Sequence, residues 1–343
     1  MLDPIVYATP LFGIALLAEG LCLSGTKRAY SFRRVTSALG CLAYDQLVNA
    51  ATVVAFVATF TMVHAHFGTK IFTEPEAASS TSAKLLSIVG AVILHDILYY
   101  AYHRLSHRVN VLWAVHVVHH QSRHYDLTVS LRQGTVATWV TYLFYMPMAF
   151  VVSPTLFVQV HAAYQIYQFF VHTELLRRLG PLEWVFATPS HHRVHHGKNA
   201  AYIDRNYGGF FIVFDRMLGT FTEERDAPDY GVPGDYDDAR PGNANLYLFA
   251  RLFRLSARAK SAGALLRLWF GPPEASPEFQ SSAAAPKGQG AKAAYVAVVL
   301  GLALSVVALF VPMATSAHIA FAVVAIAFME SGFRFLRAEG AEV

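Results

Sequence analysis

Thirteen of the chain's 16 histidines fall between His95 and His196, and most stand in three tight patterns. The first is H-x-x-x-H at His103 and His107. H-x-x-H-H then occurs twice, at His116, His119 and His120 and again at His192, His195 and His196. On a helix, spacings of three and four place side chains on one face, so each pattern can aim its imidazoles at a common point. Neutral imidazole is a ligand for iron, zinc and copper, and eight converging nitrogens exceed what one ion needs. The spacing therefore predicts two metal ions.

The residues between the histidines narrow the chemistry. Zinc hydrolysis of the H-E-x-x-H kind needs a glutamate general base, and Val117 and Arg193 stand where it would be. Carboxylate ligands at helical spacing, the mark of glutamate-rich di-iron bundles, are also missing. A histidine-rich centre on a membrane protein points to iron and to oxygen activation near a lipid. A lone histidine on an apolar face is ordinarily a core or hydrogen-bonded residue, and this reading is applied to His64, His66, His124, His161 and His318.

The elements that must carry these residues are apolar. Of 343 residues, 55% are hydrophobic and 15% charged, and crossing a hydrocarbon core of about 30 Å takes about 20 apolar residues. Stretches 5–23, 42–63, 85–102, 136–152, 156–171, 293–311 and 315–329 approach that length. No charged segment and small-residue cleavage site mark the first as a signal peptide, so it reads as a retained helix. Lys27, Arg28, Arg33 and Arg34 flank the first turn, whereas 64–82 carries only Lys70. The positive-inside rule then places that turn in the cytosol and the amino terminus outside. Stretches 136–152 and 156–171 meet at Ser153 and Pro154 and read as a hairpin that leaves the cytosol and returns.

The expected fold is all-α, with polytopic membrane helices and a cytosolic, helical, histidine-rich di-metal cap. Residues 1–84 are read as amino-terminal membrane helices, 85–224 as the catalytic domain and 225–271 as a cytosolic or interfacial segment. A Pro-, Ser-, Ala- and Gly-rich linker at 272–292 leads to membrane helices at 293–343. Within 246–270, Leu, Phe and Trp alternate with Arg251, Arg254, Arg258, Lys260 and Arg267, as in a helix lying on anionic lipid or packed on the domain. Cys22 and Cys41 lie in or beside apolar segments and read as buried thiols. The net charge of +4 is spread over membrane-flanking loops without a nucleic-acid-binding motif, which sets nucleic acid aside.

Ionisable groups within a membrane helix cost at least about 2.5 to 3.5 kcal/mol on insertion scales and mark functional candidates. Asp45, His95 and Asp96 are such groups. Asp96 precedes His103 by seven residues, two helical turns, and is expected to hydrogen-bond the back of a ligand histidine. Glu174, His191, Asn206 and Tyr207 are also expected to stand behind the ligands, His191 because it lies outside the three-four register.

At these residues the chain resembles the sterol desaturase and fatty acid hydroxylase superfamily, marked by H-x-x-x-H, H-x-x-H-H and a later H-x-x-H-H on a membrane scaffold. HDILYYAYHRLSH (95–107), AVHVVHHQSRHYDLTVSLRQ (114–133), HTELLRRLGPLEW (172–184), TPSHHRVHHGKNAAYIDRNYGG (188–209) and FDRMLGTF (214–221) are most similar to its alkylglycerol monooxygenase branch. The resemblance covers about 85–224. It implies a non-haem di-iron, O2-dependent monooxygenase that hydroxylates a lipid C–H bond, with tetrahydrobiopterin as the reductant of that branch. It also implies nine ligands: His103, His107, His116, His119, His120, His172, His192, His195 and His196. His172 enters the set only through the resemblance. Arg108 and Asp126 depart from the branch's pattern. Electrons would come from a separate donor protein or a small reductant. Alternative outcomes on the same scaffold are sterol desaturation or methyl oxidation and acyl-chain hydroxylation. A metal transporter or sensor is the non-enzymatic alternative, against which the placement of the histidines outside the apolar stretches counts.

Overall fold

The computed structural model describes residues 4–69, 71–72, 80–233, 240–275, 292–311 and 315–336. Regular structure among them is helical, with isolated β-bridges at Phe72–Val152 and Phe186–Phe211 and no strand. The helices are α1 (Pro4–Leu23), α2 (Phe32–Phe67), α3 (Thr81–Arg108), α4 (Asn110–His120), α5 (Ala137–Tyr145), α6 (Pro154–Phe170), α7 (Pro189–His196), α8 (Val213–Leu218), α9 (Pro241–Ser256), α10 (Ala262–Phe270), α11 (Lys292–Phe310) and α12 (Thr315–Phe335). Most of the expected linker lies outside the described residues.

Among the described residues three helices are long and apolar enough to cross a membrane: α3, α11 and, within α12, Ser316–Phe335. The two halves of α2, Phe32–Asn49 and Thr52–Phe67, qualify as a pair. These make the chain a membrane protein.

The chain divides into two compact units, the first made of 1–22, 51–105 and 138–228 and the second of 23–50, 106–137 and 229–343. In the first unit a core of Phe56, Phe60, Ala91, Tyr145, Met148, Val152, Leu156 and Phe157 joins α2, α3, α5 and α6. The Phe56 ring stacks on Tyr142 with centroids 3.9 Å apart. Here the expected transmembrane hairpin is corrected. α5 has only nine residues, a 3-10 turn (Met146–Phe150) follows it, and α6 has 17. Pro147 cannot donate to the helical ladder and crowds the preceding turn. The chain then pairs with the segment at Phe72, whose N–H donates to the Val151 carbonyl while its own carbonyl accepts from the Ser153 N–H. Ser153 and Pro154 restart the helix as N-cap and first residue.

In the second unit α11 and α12 pack closely. A side chain at Gly301 would meet Met329 Cγ at 2.5 Å and the Ala325 carbonyl at 2.8 Å, the small-residue contact common between helices in lipid. Tyr44 of α2 joins Val298, Met329 and Phe333 in this core. A separate core of Ala114, Val117, Leu248, Leu252 and Leu268 holds α4 against α9 and α10. Asp45, a candidate for function by its place in an apolar helix, is buried and accepts from Asn49 Nδ2 at 2.8 Å. Asn49 also donates to the Thr135 carbonyl, so the pair ties α2 to a loop.

Candidate metal centre

In the first unit the short helix α7 carries the last histidine pattern, and its start is fixed by polar side chains. Thr188 and Ser190 donate to the Glu183 carboxylate at 2.9 and 2.7 Å, and the Thr188 N–H donates to His191 Nδ1 at 3.3 Å. Burial raises the Glu183 pKa, but hydrogen bonds from Ser190, the Leu179 N–H and Thr188 outweigh it and hold the carboxylate below its ordinary range. Burial pushes His191 down to about 4, which keeps its ring neutral and able to accept. His191 therefore braces the helix start.

The ring nitrogens of His172, His192 and His196 lie within 4.8 Å of one another. His192 Nε2 stands 3.0 Å from His172 Nε2 and 3.2 Å from His196 Nε2. All three are buried. His172 Nδ1 donates to the Gln168 carbonyl at 2.7 Å, which leaves its Nε2 lone pair directed at its neighbours. Burial lowers the His172 pKa to about 4, so the ring is neutral, the form that binds metal. His103 and His195 pair beside Tyr207 with ring centroids 4.2 Å apart. Their Nδ1 atoms donate to the carbonyls of Tyr207 and Arg205 at 2.8 and 3.0 Å.

Those two carbonyls belong to a loop held from several directions. Asn206 adopts a left-handed backbone (φ 55°), which asparagine tolerates better than most residues. Its side chain donates to the His191 and Thr222 carbonyls and accepts from the Thr222 N–H. Asp215 accepts from the N–H groups of Tyr207 and Gly208 at 2.8 and 2.7 Å, and Asp96 from those of Phe210 and Phe211, both at 2.9 Å. A Cβ at Gly209 would overlap the Tyr164 hydroxyl, so only glycine lets the loop pass there. The expectation for Asp96 is thereby corrected. Its partners are these two amides and the Tyr164 hydroxyl (2.6 Å), not a histidine, because its carboxylate faces the loop that carries the accepting carbonyls. His95 likewise stands away from the ligand sets, 3.1 Å from His161 and stacked on Tyr145.

Arg193, central in the last pattern, is the largest feature that spacing alone did not reveal. It forms a two-pronged ion pair with Glu224, both contacts 2.6 Å, and donates to the carbonyls of Thr173 and Leu176 at 3.1 and 2.7 Å. It thus locks α7 to the turn that bears His172. A cation buried between ligand histidines was the available signal. Thr173 also donates to Glu19 of α1. Glu174 is half-buried and contributes no atom to the clustered donors.

In the second unit α4 carries the middle pattern. Nitrogens of His107, His116 and His120 lie within 4.8 Å of one another, with His116 Nε2 and His120 Nε2 3.1 Å apart. His119 lies on the same helix and is buried. Both ends of α4 are anchored. The Asn110 N–H donates to the Gly271 carbonyl and its side chain to that of Leu268. At the other end buried Arg132 donates to the Val118 carbonyl, Ser37 and Gln121, and Gln121 donates to the Ala244 carbonyl. Asp126 caps the next turn through Thr128 and lies 3.4 Å from Arg34. Arg108 is exposed and pairs with Glu274 at 2.7 Å.

The donor set fits a metal. Nitrogens at right angles around an ion about 2.1 Å away stand about 3.0 Å apart, and tetrahedral ones about 3.4 Å. The approaches of 3.0, 3.1 and 3.2 Å fall within the range that these two arrangements span.

Comparison with known proteins agrees on the same stretch. Residues 88–220 match the family model described as fatty acid hydroxylase. Alkylglycerol monooxygenase of Xenopus tropicalis is 50% identical over 138 residues, and that of Homo sapiens 44% over 138, in each case 40% of this chain and 31% of the relative. Ornithine lipid hydroxylase OlsE of Rhizobium tropici is 30% identical over 151 residues, 43% of this chain and 45% of that protein. The chain thus spans 31% of the length of these alkylglycerol monooxygenases. No solved structure matches. The histidine patterns and the fatty acid hydroxylase match thus fall on the same stretch, 88–220.

Proposed function

We propose that the protein is a membrane-bound, non-haem di-iron monooxygenase that uses O2 to hydroxylate a C–H bond of a lipid, with an alkylglycerol or related ether lipid as substrate. The observation that carries this reading is the set of imidazoles whose Nε2 atoms face one another 3.0 to 3.2 Å apart. They lie within 88–220, which matches the fatty acid hydroxylase model, and the chain is similar over 138 residues to alkylglycerol monooxygenase. The residues that would hold the two irons are the nine that the resemblance implies: His103, His107, His116, His119, His120, His172, His192, His195 and His196. When bound, the two irons would supply the oxygen activation that an unactivated C–H bond requires.

The chain's own part is to fix the ligands. Carbonyls of Gln168, Arg205 and Tyr207 hold the Nδ1–H of His172, His195 and His103, which puts the ring lone pair on Nε2. Asp96, Asp215 and Asn206 hold the loop that presents two of those carbonyls. On the positive-inside rule the histidines face the cytosol, and helices α2, α3, α11 and α12 make the protein multi-pass. Electrons come from a separate donor or a small reductant, for which tetrahydrobiopterin is the candidate that the alkylglycerol resemblance supplies. The match to OlsE supports acyl-chain hydroxylation of an amino-acid lipid as a second outcome at the same centre.

Purified protein is expected to hold about two irons per chain, since nine imidazoles exceed one ion's capacity. His119→Ala and His195→Ala should each lose iron and turnover. Full activity in either variant overturns the assignment. Comparing lipid extracts of cells with and without the gene, grown under oxygen, identifies the substrate as the species that gains one oxygen atom. A change in cellular metal content with no change in any lipid would replace this reading with transport.

A further inference from the structure

Helices α9 and α10 present a surface that the metal centre does not use. α9 starts where a membrane span ends. The Gly242 N–H donates to Glu330, near the carboxyl end of α12, at 2.7 Å, and Tyr44 donates to the same oxygen. Arg33 donates to the carbonyl of Leu336 just beyond that end. From there α9 turns Leu248 and Leu252 inward against α4. Its other face carries Leu246, Ala250, Phe253 and Ala257, spaced four, three and four residues apart and exposed, with Leu246 at 60% and Phe253 at 63%. α10 buries Leu268 and exposes Leu266 and Phe270. The two helices are joined by the Trp269 Nε1 bond to Ser256 (2.7 Å) and the Phe253–Trp269 ring contact.

The charge on this surface has one sign. Arg254, Arg258, Lys260 and Arg267 are exposed, and residues 241–273 contain no Asp or Glu. Among the described residues none of the four meets a carboxylate. Apolar stripes flanked by unopposed cations are the composition of a helix lying at the boundary of an anionic bilayer.

We propose that α9 and α10 form an interfacial platform that docks on anionic phospholipid at the end of the α12 span. Because α10 carbonyls hold Asn110 and α9 packs on Ala114 and Val117, the platform seats the α4 histidines at the lipid surface. The proposal does not depend on the identity of the metal.

The full chain, with Cys22→Ser and Cys41→Ala, takes an environment-sensitive fluorophore at Ala257→Cys. It is reconstituted into phosphatidylcholine bilayers with or without phosphatidylglycerol, each containing nitroxide-labelled lipid. With about 30% phosphatidylglycerol, lipid quenching should rise at least about twofold over pure phosphatidylcholine, as expected for several cations near an anionic surface. R254E/R258E/K260E/R267E should abolish the rise. Salt at about 0.5 M should suppress it in the unsubstituted platform, a readout that does not rely on the variant's folding. Equal quenching with and without phosphatidylglycerol, or an undiminished rise in salt, overturns the proposal. Shielding of the label that depends on protein concentration in detergent also overturns it, in favour of a second copy of the chain.

Discussion

In the first unit, ligand histidines come from three separate segments: His103 from α3, His172 from the turn after α6, and His192, His195 and His196 from the short helix α7. His172, His195 and His103 each donate Nδ1 to a backbone carbonyl, and those segments are fixed by side chains distant in sequence, such as Asp96 reaching Phe210 and Phe211. In the second unit, His116, His119 and His120 sit on one 11-residue helix whose ends are anchored by Asn110, Gln121 and Arg132. A helix with three- and four-residue spacing aligns its ligands through its own backbone. Ligands on three separate segments share no such register, so the first unit relies on buried charge and long-range hydrogen bonds. The difference predicts that ligand geometry in the first unit fails on loss of one supporting side chain, whereas α4 tolerates such a loss better.

The largest expected effect is at Arg193. Arg193→Met leaves Glu224 without its partner and frees the carbonyls of Thr173 and Leu176. Breaking a buried pair by removing one member costs about 3 to 5 kcal/mol. Denaturant unfolding in detergent should register that loss, and iron bound per chain should fall. Adding Glu224→Gln should cost less than the sum of the two single changes. A loss within the range of a surface substitution, under about 0.5 kcal/mol, would mean that the His172 turn holds itself.

Arg132→Met is the matching test of the second unit. It removes hydrogen bonds from a charged donor to the Val118 carbonyl, Ser37 and Gln121, worth about 1.5 to 3 kcal/mol. Because the α4 backbone still spaces its histidines, iron retention should exceed that of Arg193→Met. If Arg132→Met releases iron as completely, the contrast between ligands spaced by one helix and ligands gathered from separate segments is wrong.

The same contrast explains what could be read from the residues alone. The patterns at His103, His116 and His192 announce themselves because helical periodicity repeats in the sequence, and α3, α11 and α12 are visible as apolar length. His172 stands alone after α6 and meets His192 across 20 residues, a relation that no local period records. Arg193 is legible only as the absence of a glutamate base until its contact with Glu224 is seen. Asp96 is conspicuous as a carboxylate in an apolar helix, but which element it faces is set by tertiary packing. The apolar stretch 136–152 overstates helix length because hydropathy does not register the break that Pro147 makes.

The smallest expected effect concerns pH and again separates loop from helix. Burial pushes the Asp215 carboxyl above its ordinary value of 3.8, and hydrogen bonds from Thr220 and from the N–H groups of Tyr207 and Gly208 offset only part of that. The folded state therefore keeps this proton to a higher pH than the unfolded chain does. As pH rises from about 4 the unfolded chain releases its proton first, so this group's contribution to stability falls until the folded carboxyl has also ionised. Asp215→Asn has no proton to release. Its unfolding midpoint should decline less than that of the unsubstituted protein over this range, although it is lower at acid pH through poorer capping of the loop. Parallel curves for the two proteins would show that Asp215 is ionised equally in both states. In that case the Tyr207 loop is open to water, and the carbonyl that orients His103 is not held in a buried frame.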